Sequence, residues 1–81
     1  MHEVSIMTIE KLNELSKSAR RVYFGIAKQY NGTTPAMNDT ALAYSLGMAQ
    51  SDCNRGLSEL KNNNLIEAIG YKSYTLVDIG W

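Results

Sequence analysis

The chain has 81 residues, 44% of them hydrophobic, with six glycines and one proline, which is the composition of one small globular domain. Eight lysines and arginines balance eight aspartates and glutamates, so the formal charge is zero. That balance argues against a domain that coats nucleic acid without selection, although it leaves room for a local basic face.

Residues 1–15 read as an N-terminal arm or short helix, and within residues 1–8 Val4 and Ile6 at alternate positions suit a short strand or an extended arm. Thr8 is a candidate cap for a short helix over "IEKLNEL", with Glu10 in its first turn. The next element is clearer. Ala19, Val22, Tyr23, Ile26, Ala27 and Tyr30 recur at i, i+3, i+4, i+7, i+8 and i+11, one continuous face of a helix. Ser16 or Ser18 supplies its N-cap, and Asn31-Gly32 its stop. The opposite face carries Lys17, Arg20, Arg21, Phe24 and Lys28. Four cations alone read as a solvated face, but a phenylalanine among them calls for a cover.

"TTPAMN" is a loop or one short strand, since Pro35 interrupts a longer ladder. Asn38 or Asp39 then caps a short helix over "TALAYSLG" that Gly47 ends. A further helix starts near Ala49 or Gln50 and runs to about Asn62, with Cys53, Leu57 and Leu60 on one side beside small Gly56. "LIEAI" reads as a strand, "GYKS" as a turn and "YTLVDI" as a returning strand. Leu65, Tyr74 and Leu76 are expected on the inner side of that hairpin, with Ile69 as a further candidate.

The reactive residues favour bland readings. One cysteine and one histidine cannot make an internal disulfide or a zinc site, and Cys53 at a core position reads as a small buried hydrophobe. His2, near the terminus, reads as solvated. No supported Ser-His-Asp set, glycine-rich phosphate loop or paired carboxylates occur, so neither an enzyme nor a cofactor is expected. No apolar run approaches the roughly 20 residues that cross a bilayer, and "MHEVSIMTIEK" lacks a signal-peptide core. A reduced thiol makes the cytoplasm the expected compartment.

The order of elements and the segment "LAYSLGMAQSDCNRGLSELKNNNLIEAI" resemble the winged helix-turn-helix family, as found in small regulators of bacteria, phages and plasmids. The resemblance rests on Leu42-Ala43, Gly47-Met48, Arg55, Leu57, Leu60, the break Asn62–Asn64, and Leu65-Ile66. It departs from the family at Ala49, where a capping serine or threonine is usual, which leaves Ser51 or the Met48 region as alternative starts to the one the spacing predicts at Ala49 or Gln50. It implies an α+β fold with a three-helix core and a C-terminal β-hairpin wing. It also implies that the helix near 50–62 enters the major groove of double-stranded DNA.

On that helix the face opposite the apolar seam is centred on Ser51, Arg55, Ser58 and Asn62, flanked by Gln50, Asn54 and Lys61 on one side and Glu59 on the other. Arg pairs with guanine, Asn and Gln with adenine, and Ser with either a base or a phosphate. The expected DNA contacts are Gln50, Ser51, Asn54, Arg55, Ser58 and Lys61, with Tyr71 and Lys72 at the wing tip. Thr40, Tyr44, Lys17 and Arg21 are secondary candidates for the phosphate backbone. So small a footprint implies a homodimer or cooperative oligomer. The alternative is a protein-interaction module using Phe24 and the basic stripe, favoured by zero net charge and by Asp52 beside the reading face.

Overall fold

The computed structural model describes residues 4–78. They form helices α1 (Ile6–Asn13), α2 (Lys17–Tyr30), α3 (Asp39–Ser45) and α4 (Gln50–Asn62), then strands β1 (Ile66–Ile69) and β2 (Ser73–Leu76). The architecture is α+β, with four helices and one two-stranded antiparallel hairpin among the described residues. His2 and Ile79 lie outside them.

α1 starts earlier than expected. Ser5, not Thr8, is its N-cap and accepts from the Thr8 amide, while Thr8 and Leu12 are buried. The alternation of Val4 and Ile6 therefore marks no strand, and Ile6 is already helical and exposed. Long-range bonds decide this. The Asp78 carboxylate accepts from the Ser5 amide at 2.6 Å, from the Thr8 hydroxyl at 2.7 Å and from the Ser5 hydroxyl. An anion at the first turn satisfies free N–H groups and complements the helix dipole. α1 is thereby fastened at its start to the end of the hairpin strand.

α2 is the central helix. Ala19, Val22, Tyr23, Ile26 and Ala27 are all buried, and Tyr30 is half-buried with its hydroxyl 2.9 Å from Ser45 Oγ. Ser16 caps it by accepting from the Ala19 amide, and Asn31 stops it in the left-handed conformation at φ 52°. α2 and α4 cross very closely at Gly56. A Cβ built there would lie 2.7 Å from the Ser18 carbonyl oxygen and 2.9 Å from Val22 Cγ2. Cys53, Leu57 and Leu60 complete the inner seam of α4.

α3 is capped by Asn38 and followed by Gly47 at φ 67°, a left-handed turn that suits glycine. α4 begins at Gln50 with Ala49 at its N-cap, as the spacing predicts, although Ala49 offers no side-chain cap, and the alternative starts at Ser51 and Met48 are not used. The segment after α2 makes a single bridge, Thr33 to Thr75, beside β2. The amides of Thr34 and Leu76 donate to Tyr74 O and Gly32 O, each at 2.8 Å, which binds the hairpin to the end of α2.

Within the hairpin Ile66 faces Leu76 and Ala68 faces Tyr74, while Ile69 pairs with Ser73. Side chains alternate along a strand, so Ile69 points away from the buried row and is exposed. Leu65, Tyr74 and Leu76 are buried as expected, Leu65 just before β1 at the exit of α4, where its amide donates to Leu60 O at 2.8 Å.

Candidate functional site

α4 presents two opposite seams. Cys53, Gly56, Leu57 and Leu60 are buried, whereas Gln50, Ser51, Asn54, Arg55, Ser58, Lys61 and Asn62 are exposed. A helix buried along one seam and clamped at Gly56 holds its outer side chains in a fixed frame. The outer side carries amide, hydroxyl and cationic groups of the kinds that read base edges.

The two carboxylates of α4, Asp52 and Glu59, are seven residues apart and share one edge of the helix. Asp52 lies 3.8 Å from Arg55 in an exposed i, i+3 pair. Such a pair contributes about 0–1 kcal/mol, less than the roughly 1–3 kcal/mol of a bidentate contact between arginine and a base. Asp52 therefore parks Arg55 without locking it. Glu59 is engaged elsewhere. Its carboxylate accepts from the Ser16 amide at 3.1 Å and from the Ser16 hydroxyl, joining α4 to the cap of α2. The Ser16 hydroxyl bond, then the Ser16 amide bond, and more weakly Arg55 and Arg20, hold the Glu59 carboxyl below its usual range.

On the other edge, Asn54, Ser58 and Lys61 line a crevice of about 220 Å³ with Leu57, Asp39 and Tyr74. Lys61 Nζ stands 5.1 Å from the centre of the Tyr74 ring, a cation–π contact that leaves its remaining donors outward. The sequence pattern assigned Tyr74 to the inner side and Asp39 only to a cap. That both border this edge of α4 is a tertiary fact with no local signal. The Tyr74 hydroxyl is 3.5 Å from Asp39 Oδ1, at the outer limit of a hydrogen bond.

The hairpin tip is Gly70, Tyr71 and Lys72, between the paired residues Ile69 and Ser73. Tyr71 is 76% exposed, and Lys72 Nζ lies 5.0 Å from the centre of its ring. Lys72 occupies a left-handed position, φ 55°. Its carbonyl accepts from the Met37 amide at 3.0 Å, which anchors the tip from behind.

Among the secondary candidates, Thr40 and Tyr44 are exposed on α3, Tyr44 at 88%. Arg21 reaches the α3–α4 turn, its Nη2 3.4 Å from Gly47 O, and Lys17 is exposed one turn before it. Two titratable groups of the core are held in their neutral forms. Burial, then the charge of Asp78, pushes the Tyr23 hydroxyl up to about 12, and that hydroxyl donates to Val77 O at 3.1 Å. Burial, then the charge of Asp39, raises the Cys53 thiol as well, which disfavours the nucleophilic thiolate.

Among the described residues, no group of three or more His, Cys, Asp or Glu is placed to hold a metal ion. No described helix is long and apolar enough to cross a membrane. In comparisons with known protein families, curated proteins and solved structures, the chain matches none.

Proposed function

We propose that this chain is a winged helix-turn-helix domain that binds double-stranded DNA with sequence selectivity, as a transcriptional regulator. In this reading α3 and α4 are the helix-turn-helix, α4 enters the major groove, and the β1–β2 hairpin is the wing. The observation that carries it is the division of α4 into a buried seam of Cys53, Gly56, Leu57 and Leu60 and an exposed seam of base-reading side chains. Gln50, Ser51, Asn54 and Arg55, in the N-terminal half, contact base edges, with Ser58 and Lys61 following. Tyr71 and Lys72 hold the flanking phosphates or the minor groove.

Asp52, the residue that most favours a protein partner, is compatible with DNA because its link to Arg55 is weak and exposed. With zero net charge, the positive charge that DNA requires has to come locally, from Arg55, Lys61 and Lys72. No catalytic step and no cofactor enter this function.

The test is selection from random duplex DNA at moderate salt, followed by binding of Arg55→Ala to the enriched site and to its single-base variants. The variant is expected to lose about 1–3 kcal/mol of discrimination at one base position. Selection of no motif by the parent chain, with only weak salt-driven binding, would move the function to the protein-interaction reading.

A further inference from the structure

Two exposed stripes lie outside the outer face of α4 and the hairpin tip, the second of them including the secondary phosphate candidates Lys17 and Arg21. The first lies on α1, where Ile6, Ile9, Glu10 and Asn13 share one side at 3.6 residues per turn, with Met7 beside them. Ile6 is 74% exposed, Met7 57% and Ile9 37%, a row of large apolar side chains with no cover among the described residues. The charged residues of this helix and its cap are Glu10, Lys11 and Glu14, and Lys11 is paired with Glu14 at 3.9 Å. Glu10 leaves the exposed side acidic.

The second stripe lies on α2, where Lys17, Arg21, Phe24 and Lys28 fall at i, i+4, i+7 and i+11. α2 contains no acidic residue. Lys17, Arg20, Arg21 and Phe24 line an open groove of about 390 Å³, with Phe24 41% exposed. Its end abuts α1, because Arg20 Nη1 donates to Leu15 O at 2.6 Å and to Leu12 O at 3.4 Å. DNA phosphates would use the cations but would leave Phe24 without a role. An apolar and acidic helix would use both.

We infer that the occupant of the α2 groove is α1 of a second copy of this chain. The molecule carries, on one helix, the apolar and acidic side chains that the groove on its neighbour requires. A two-fold axis makes the contact twice, each α1 lying in the partner's α2 groove, so a modest complementarity is doubled. The inference deepens the expected homodimer by naming its interface. None of the candidate contacts on α4 or at the hairpin tip belongs to either stripe.

The test is sedimentation equilibrium of the full chain without DNA, so its outcome is separate from that of the DNA reading. The parent is expected to show a reversible monomer–dimer equilibrium. Phe24→Asp is expected to weaken it roughly tenfold or more. A double variant, Glu10→Lys with Glu14→Lys, makes both stripes basic, and Lys17→Glu with Arg21→Glu makes both acidic. Each alone is expected to associate at least roughly tenfold more weakly than the parent. Mixed in equal amounts they are expected to recover association, because both contacts of the mixed pair are then attractive. Arg20 is left unchanged because its bonds hold α1, and circular dichroism confirms that each variant is folded. A parent that stays monomeric at low salt and high concentration overturns the inference. So does a Phe24→Asp dimer as tight as the parent's, or a mixture no better than its components.

Discussion

The α2–α4 crossing and the hairpin tip are both shaped by positions with little steric freedom, yet they use it in opposite ways. At the crossing, a missing side chain at Gly56 lets two backbones meet, and Glu59 bonds the cap of the opposing helix. At the tip, Lys72 keeps its side chain although a left-handed φ disfavours one. The crossing gives up a side chain for packing, and the tip keeps one at a cost in backbone strain. In the proposed reading that cost presents a cation to DNA.

The largest effect is expected at Gly56. Gly56→Ala adds a methyl against the Ser18 carbonyl, which is backbone and cannot turn aside, so stability should fall by about 1–3 kcal/mol in urea unfolding. Gly25 is a sharp control. Its added Cβ would meet only the end of the Leu46 side chain, at 2.5 Å, which can rotate. Gly25→Ala should stay within about 1 kcal/mol of the parent, since the gain in helix propensity offsets the shift of Leu46. Equal losses at the two glycines would break the distinction between backbone and side-chain contact.

Ser16 comes next. Ser16→Ala removes the cap on the Ala19 amide and the hydroxyl bound to Glu59, with an expected loss of about 1 kcal/mol. The pH dependence has a definite sign. The Glu59 carboxyl is held below its usual range, so its contribution is fully present above the unfolded value of 4.5 and is lost as pH falls through the lower folded value. Glu59→Gln should flatten that part of the acid limb in a comparison of melting temperatures across pH. An unchanged acid limb would mean that the bond to Ser16 contributes nothing to folding.

The smallest effect on stability is expected at the tip, and it has the opposite sign. Lys72→Gly relieves the left-handed strain and should raise stability by up to about 1 kcal/mol. The same change should weaken binding to every DNA sequence and lower the salt slope by about one. Loss of both stability and binding would show that Lys72 supports the fold instead of presenting a charge.

Much of the helical framework is legible in the residues themselves. The face from Ala19 to Tyr30, the caps narrowed to Ser16 or Ser18 and to Asn38 or Asp39, the stop at Asn31-Gly32 and the seam of Cys53, Leu57 and Leu60 are local periodicities and local hydrogen bonds. The exposed side of α4 follows from the same period, which is why the candidate reading residues appear where the helical spacing puts them. Local pattern failed at the ends. Thr8 resembled a cap, but Asp78, 70 residues away, fills the first turn of α1 and makes Ser5 the boundary. Ile69 resembled an inner strand residue until pairing with Ser73 set the parity.

The sequence by itself determined where the longer helices run and which of their sides are apolar, because the periodicity is carried by each segment alone. The tertiary structure decided which polar side chains are already engaged. Glu59 is tied to Ser16, Arg20 to the carbonyls of Leu12 and Leu15, Lys61 to Tyr74, and Arg55 only loosely to Asp52. Availability for a partner depends on what stands opposite each group in space, and that is settled only when α2, α4 and the hairpin meet.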